Sequence, residues 1–188
     1  MEVFIISSER EFMRFLRVYK HDFLNHLQVV LGYLQLKKPE RALEYLKEAI
    51  EEVEKSGSVM RLGLPSVAFW LLLEELKQKE QGIIFQLTND TDFIASEEQE
   101  QAILTCLKPL VEEIGCTIGN LPYEKRAWCL NLTGRSSLNL LFTLPRLEGL
   151  EWENIFKAKS CPEKGLKLNT SGWATEENYF YRLEFSIS

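Results

Sequence analysis

The chain lacks the residue patterns that most metal, disulfide and nucleotide sites require. It has only two histidines, and its four cysteines never occur as Cys-x-x-Cys, so we expect no metal site and reduced thiols. Glycine never occurs as Gly-x-Gly, a pattern that lets backbone N–H groups approach a phosphate closely. The apolar start is too short to span a membrane and lacks the basic flank of a signal peptide. These absences predict a cytoplasmic protein without a membrane anchor.

Basic residues are also too few for a nucleic-acid-binding surface. The 22 lysines and arginines are outnumbered by 28 aspartates and glutamates, which gives a net charge of −6. Because neutralising phosphates needs a basic surface, nucleic acid is disfavoured as the main partner. The 188 residues are 45% hydrophobic, which is enough for one good core or two small ones.

Both histidines lie in one long predicted helix, which we expect to begin at a capping box at Ser8 and to end near Leu36. Apolar residues at spacings of three and four form a stripe that is predicted to be buried: Phe12, Leu16, Tyr19, Phe23, Leu27, Val30 and Leu34. At about 100° per residue, His21 lies roughly 160° from the centre of this stripe. We therefore expect its ring to face solvent.

An exposed imidazole with basic and amide neighbours is suited to accepting and returning a phosphoryl group, because neutral imidazole is a good nucleophile near pH 7. Arg17 lies one turn before His21 and can offset phosphoryl charge, while Asn25 lies one turn after it and can hydrogen-bond the ring. Asp22 can orient the ring or shape the approach of a partner. The alternative is that His21 is an ordinary exposed polar residue.

The same face of the helix also carries Arg14, Gln28 and Gly32, and Gly32 leaves room for a partner's backbone. Residues 8–38 include six basic and three acidic residues. This excess is either ordinary charge scatter on a solvated face or a surface that attracts an acidic partner. His26 lies nearer the apolar stripe, and we predict a structural role with its ring hydrogen-bonded at the edge of the core. Metal-dependent phosphohydrolases of the HD type share the His-Asp doublet, but they need further histidines that this chain lacks.

A second helix is predicted to start at Pro39 and to end near Lys55, before a linker from Ser56 to Gly63. Its apolar seam consists of Leu43, Leu46, Ile50 and Val53. The short connection requires the two helices to be antiparallel. One hairpin cannot bury two apolar seams, and pairing of two copies into a four-helix bundle is the economical way to cover both.

Residues 20–36, which read KHDFLNHLQVVLGYLQL, resemble the phosphoacceptor helix of sporulation initiation phosphotransferase B and of the related citrate/malate-type sensor histidine kinases. In that family the histidine of a His-Asp-x-x-Asn motif is phosphorylated, and two helical hairpins dimerise before a kinase-like domain. The resemblance implies that His21 is the phosphoacceptor. It also implies that Asp22 and Asn25 occupy the motif positions that follow.

The remainder of the chain is predicted to be an α+β domain that follows the linker. The predicted elements are a helix from Leu64-Pro65-Ser66, a strand at Gly82–Leu87, a helix from Ser96 to about Ile114 interrupted by Pro109, strands at Ala127–Leu132 and Leu138–Leu144, a short helix at Trp152–Lys159, and strands at Gly165–Asn169 and Tyr179–Ile187. This order resembles the ATP-binding domain of histidine kinases. No asparagine for Mg²⁺ lies between Gln99 and Gly115, however, so we predict a degenerate sandwich that binds no ATP.

The sequence therefore predicts two domains, a phosphoacceptor and dimerisation hairpin over residues 1–56 and a degenerate kinase-like domain over residues 64–188. The predicted function is a phosphotransferase that moves a phosphoryl group from a receiver-domain aspartate to His21 and on to a second receiver-domain aspartate. No cofactor is expected to be held stably, and the receiver supplies Mg²⁺. The resemblance implies a role in sporulation initiation. One alternative is a sensor histidine kinase, or a fragment of one, with a divergent ATP site. The other is a non-catalytic adaptor that binds receivers.

Overall fold

Two helices precede an α+β unit in the computed structural model. The structure describes residues 2–147, 149–159 and 166–187. It describes their side chains as well, except those of residues 2–8, 56 and 157–159. The helices are Glu2–Gln35 (α1), Pro39–Met60 (α2), Pro65–Glu80 (α3), Glu97–Gly119 (α4) and Trp152–Lys159 (α5). The strands are Ile84–Thr91 (β1), Ala127–Gly134 (β2), Ser137–Pro145 (β3), Leu166–Ala174 (β4) and Asn178–Ile187 (β5). The chain forms two compact units, Met1–Lys55 and Ser56–Ser188. This order of elements confirms the α+β class.

Helix α1 begins earlier than the capping box predicted. It starts at Glu2, so the backbone of Ser8 is already inside the helix, and the side chain of Ser8 lies outside the described part. No proline or glycine occurs before Gly32, so nothing in the sequence stops the helix upstream of the box. The predicted start is therefore wrong, whereas the end at Gln35 is within one residue of the prediction.

The turn after α1 uses lysine where glycine is more common. Lys37 has a φ of 56°, in the left-handed region. The N–H of Lys38 donates to the carbonyl of Tyr33 at 2.9 Å, and that of Lys37 donates to Leu34 at 3.0 Å, which is the hydrogen-bond pattern of a Schellman motif. Pro39 then opens α2, as predicted. This three-residue connection reverses the chain into a helical hairpin.

The predicted apolar stripe of α1 is not buried within one chain. Phe23 is 48% exposed and Leu34 is 51% exposed, and most other members of the stripe are similarly open. The half-buried face of α1 is a different one and includes His26 and Tyr33, whose rings contact Tyr45 of α2. The expectation that the stripe is covered is wrong for the single hairpin, because two helices provide no further layer to cover a second face.

Helix α2 continues through the predicted linker as far as Met60. Its last turn packs within the second unit, where Val59 is fully buried. The amide group of Asn89 on β1 donates from Nδ2 to the carbonyl of Ser58 at 2.8 Å. The linker prediction is wrong because this burial and hydrogen bonding offset the cost of about 1 kcal/mol that Gly57 brings to a helix.

The sheet of the second unit has the strand order β1-β2-β3-β5-β4, with β1 parallel to β2 and the other neighbours antiparallel. Along β2 and β3 every second residue is buried. On this buried face Trp128 donates to Gln78 of α3 at 2.9 Å, and Phe142 meets Phe156 of α5 edge to face. Helices therefore cover one face of the sheet, and the core lies between the helices and that face.

Helix α4 begins as predicted and passes through its proline. Ser96 accepts a hydrogen bond from the N–H of Gln99, and the Gln99 side chain accepts one from the N–H of Ser96, which completes a capping box. Pro109 does not interrupt the helix, because the burial of Leu110 and Ile114 beside it offsets the lost hydrogen bond. Helix α5 has the predicted bounds, and the other predicted elements are present with shifted ends. The predicted strand start at Gly165 lies outside the described residues.

Candidate functional site

The ring of His21 projects from the middle of α1 and its side chain is 71% exposed. The helix is continuous on both sides of it, so the backbone at the site is held by helical hydrogen bonds. The prediction that this ring faces solvent is confirmed. Such a position lets a second protein reach the ring without displacing any part of the chain.

Two neighbours contact the same ring nitrogen of His21. The Oδ1 atom of Asp22 lies 3.4 Å from Nδ1, and the Nδ2 atom of Asn25 lies 3.2 Å from Nδ1. A carboxylate only accepts hydrogen bonds and so favours a proton on Nδ1, whereas an amide N–H requires a bare Nδ1, so the two contacts belong to different tautomers. Among the residues that the structure describes, none bonds to Nε2. In the tautomer that Asp22 favours, Nε2 carries the lone pair and is open to solvent.

The four residues predicted to bind a partner lie on α1 but do not contact the ring. Arg14, Arg17 and Gln28 are exposed and Gly32 is half-exposed. A Cβ atom added at Gly32 would meet nothing within 4 Å, so the surface there is open. Asp22 and Asn25 are thus the two predicted site residues that the fold brings onto His21, and the partner contacts stay predictions.

His26 takes the structural position that the sequence indicated. Its side chain is 20% exposed, its Nδ1 atom lies 3.0 Å from the hydroxyl of Tyr45, and its Nε2 atom lies 3.7 Å from a carboxylate oxygen of Glu52. The prediction of a half-buried ring held by a hydrogen bond is confirmed. The sequence analysis missed Tyr45 and Glu52 as its partners, although their distances from the turn place them on either side of the level of His26 in the hairpin.

The buried carboxylates of the second unit have structural partners. Oε1 of Glu100 accepts hydrogen bonds from the N–H groups of Ser66 and Val67 at 2.6 and 3.1 Å, in the first turn of α3. Glu74 accepts from Gln78 at 3.1 Å. Within the described ranges, no group of three or more His, Cys, Asp or Glu side chains is arranged to hold a metal ion. None of the helices in those ranges has the length and apolar character needed to cross a membrane.

Comparison with known proteins identifies the segment that holds the site. Residues 1–62 match the family model for the sensor kinase SpoOB-type, alpha-helical domain. This segment of the chain is similar to that domain. The matched segment contains α2 and the whole surface around His21, so the resemblance of residues 20–36 is confirmed for this part of the chain.

A second similarity is to a sensor kinase. The chain is 33% identical over 91 residues to a "Probable C4-dicarboxylate sensor kinase" of Halalkalibacterium halodurans. The match includes 47% of this chain and 17% of the relative, so the chain spans less than a fifth of that protein's length. Both similarities are to proteins whose names describe them as sensor kinases.

Proposed function

We propose that this chain is a phosphorelay phosphotransferase with His21 as its phosphoacceptor. A receiver-domain aspartyl phosphate approaches Nε2, a P–N bond forms as the bond from phosphorus to the aspartate oxygen breaks, and the aspartate leaves as a carboxylate. Phospho-His21 then passes the group to the aspartate of a second receiver. The observation that carries the proposal is the open Nε2 atom, which is left free because Asp22 and Asn25 both contact Nδ1.

The neighbours of the ring have distinct roles in this reaction. Asp22 holds the proton on Nδ1, so the lone pair of Nε2 is available to phosphorus and no proton has to leave during attack. Phosphoryl transfer has a loose transition state, and its rate depends on alignment and on charge neutralisation. Arg17, one turn away, offsets charge on the transferring oxygens. Mg²⁺ bound by the receiver's own carboxylates supplies the remaining positive charge.

The receiver is proposed to dock on the face that Arg14, Arg17, Gln28 and Gly32 share with His21. The basic side chains complement a carboxylate-lined pocket, and the open surface at Gly32 admits a partner's backbone. The whole chain is acidic, with a net charge of −6, so this basic face differs in charge from the rest of the protein. An acidic partner is therefore attracted to this face.

The apolar stripe supports a homodimer. Its large side chains, among them Phe12, Leu16, Phe23 and Leu27, are 41 to 48% exposed in the single chain, and Leu43 and Ile50 of α2 are 55 and 48% exposed. Monomeric proteins rarely expose a contiguous apolar surface of this length. Two copies that pair these surfaces make a four-helix bundle, in which His21, on the far side of α1, stays accessible.

The core of the second unit supports the proposal that no ATP is bound. The rings of Phe85 and Trp128 stack with centroids 3.9 Å apart, and those of Phe156 and Tyr181 stack at 3.8 Å. Phe142 joins the two pairs, so aromatic side chains in van der Waals contact fill the space between the helices and the sheet. We therefore propose that this unit is a degenerate form of the histidine-kinase ATPase sandwich.

The sensor-kinase relative favours one second candidate, a fragment of a sensor histidine kinase that phosphorylates itself with ATP. The two functions differ in their phosphoryl donor. Incubation of the purified chain with radiolabelled ATP and Mg²⁺ distinguishes them, because a phosphotransferase stays unlabelled. ATP-dependent labelling that disappears in His21→Ala would establish the kinase instead.

The decisive experiment offers the chain a phosphorylated receiver domain from the same genome. We expect an acid-labile, alkali-stable phosphate on the wild-type protein and none on His21→Ala, with equal melting temperatures because the ring is exposed. Transfer that survives His21→Ala would contradict the assigned phosphoacceptor. A folded wild-type protein that binds receivers but takes no phosphate from any of them would be a docking adaptor. In a spore-forming host, loss of spores in the His21→Ala strain would support a role in sporulation initiation.

A further inference from the structure

The proposed reaction requires the ring of His21 to keep one position, and apolar packing between two helices fixes that position only weakly. Apolar contact is non-directional, so α1 could turn about its own axis with little loss of burial. The tip of a side chain lies about 6 Å from the helix axis, so a rotation of 10° moves it by about 1 Å. A misplacement of that size can slow a reaction by about two orders of magnitude. A directional contact near His21 would prevent the rotation.

His26 provides such a contact to α2. Its Nδ1 atom lies 3.0 Å from the hydroxyl of Tyr45, and its Nε2 atom lies 3.7 Å from Oε2 of Glu52. Tyr45 and Glu52 are seven residues apart, which places them on one face of α2 two turns from each other. The ring of His26 therefore lies between two partners on the neighbouring helix.

One tautomer of His26 satisfies both partners. The carboxylate of Glu52 only accepts, so it favours a proton on Nε2. Nδ1 is then bare and accepts the hydroxyl proton of Tyr45. A rotation of α1 would move the ring away from one partner or the other, and the half-buried position leaves little water to replace them.

The contacts of His26 with Tyr45 and Glu52, which we call the clamp, lie next to the site in the chain. Asn25 immediately precedes His26, and its amide lies 3.2 Å from Nδ1 of His21. We propose that His26 and Tyr45 position His21: their hydrogen bond sets the rotation of α1 about its own axis and so fixes the direction in which the ring of His21 faces relative to α2. His26 is a positioning residue, because it does not touch the transferring group. The inference rests on the proposed phosphotransfer.

The first test removes one hydroxyl group. In Tyr45→Phe we expect single-turnover transfer from a saturating phosphorylated receiver to fall about tenfold. Labelling of His21 by the small donor phosphoramidate, which needs no docking, should stay at the wild-type rate. Tyr33→Phe is the matched control, because Tyr33 also contacts Tyr45 and its hydroxyl has no hydrogen-bond partner among the described residues. Equal transfer rates in Tyr45→Phe and Tyr33→Phe would refute the positioning role.

A conservative replacement provides a second arm. His26→Ala removes the clamp and should slow transfer by at least as much as Tyr45→Phe. His26→Asn places a polar atom near the former position of Nδ1 and should recover part of the loss. An asparagine variant as slow as the alanine variant, with the same melting temperature, would contradict a role for the hydrogen bond.

A third readout does not depend on any receiver. The chain has two histidines, so its ring ¹⁵N resonances form two sets that the His21→Ala variant assigns. We expect Tyr45→Phe to shift the resonances of His21 as well as those of His26, and Tyr33→Phe to leave His21 unchanged. This readout separates the two hypotheses. If the wild-type protein accepts no phosphoryl group, the proposed function fails. Unchanged His21 resonances in Tyr45→Phe would refute the clamp in either case, and shifted resonances would support it.

Discussion

The amide nitrogen of Asn25 lies 3.2 Å from Nδ1 of His21, one helical turn away on the same exposed face of α1. This contact is local in sequence and depends only on the helix being continuous between the two residues. It restricts the rotation of an exposed ring whose other nitrogen faces solvent, while the tautomer with a lone pair on Nε2 is the one that Asp22 favours.

Replacing Asn25 with alanine should slow phosphotransfer without destabilising the fold. The ring of His21 loses a partner that restricts its rotation, and we expect the single-turnover rate to fall about tenfold. Because both side chains are exposed, the melting temperature should stay within experimental error. Gln35→Ala, which removes an exposed amide elsewhere on α1, is the control, and equal rates in the two variants would show that the contact does not matter.

A charge in the apolar stripe should separate the proposed dimer. Leu27 is 47% exposed in the single chain, so a second copy would cover it and Leu27→Glu would bury a carboxylate in the bundle. We expect sedimentation velocity to show a dimer for the wild-type protein and a monomer for this variant. Gln35→Glu adds the same charge outside the stripe and should stay dimeric. A wild-type protein that sediments as a monomer at micromolar concentration would overturn the dimer.

Loss of the Glu100 carboxylate should destabilise the second unit. Its Oε1 atom accepts from the backbone N–H groups of Ser66 and Val67, so Glu100→Ala leaves two amides at the start of α3 without this acceptor. We expect the free energy of unfolding in urea to fall by roughly 1–3 kcal/mol. Glu98→Ala, in the same turn but exposed, should have little effect. Similar losses in both variants would mean that the helix charge, rather than the cap, is responsible.

The cysteines should react in an order set by burial. Burial raises the pKa of the Cys129 thiol, and this thiol also donates to Gln86, so less thiolate is present at a given pH than at an ordinary cysteine. In a Cys161→Ser background, which removes the cysteine outside the described residues, iodoacetamide at pH 8 should alkylate exposed Cys116 first. Peptide mass spectrometry over time measures the order. Faster labelling of Cys129 than of Cys116 would contradict this environment.

The same pKa shift predicts how stability changes with pH. The Cys129 thiol loses its proton more readily in the unfolded chain than in the folded one, so alkaline pH favours the unfolded state. The contribution of this thiol to the free energy of unfolding is therefore fully present near neutral pH. It is lost as pH rises above the ordinary cysteine pKa. Cys129→Ala should make the decline in urea stability between pH 8 and pH 10 shallower, whereas Cys116→Ala should not.

Contacts within one helix could be predicted from the sequence, and contacts between elements could not. Helical periodicity alone predicts that His21 is exposed. It also predicts that Asp22 and Asn25, one and four residues later, lie beside the ring. The partner of His26 lies nineteen residues away across a turn, so its identity depends on the helix register set by Lys37. Gly57 and Pro109 are local breaker signals that the fold overrides, because long-range burial outweighs roughly 1 to 3 kcal/mol of backbone cost.

The amino-acid sequence by itself determined the His-Asp-x-x-Asn motif, the two-seam hairpin and the α+β order of elements, since each depends on spacings along the chain. The tertiary structure alone decided that α2 extends to Met60, that Tyr45 and Glu52 lie beside His26, and that stacked aromatic rings fill the core beneath the sheet. These features depend on which residues distant in sequence meet, and that outcome is set by packing and hydrogen bonding across the whole fold rather than by any local pattern.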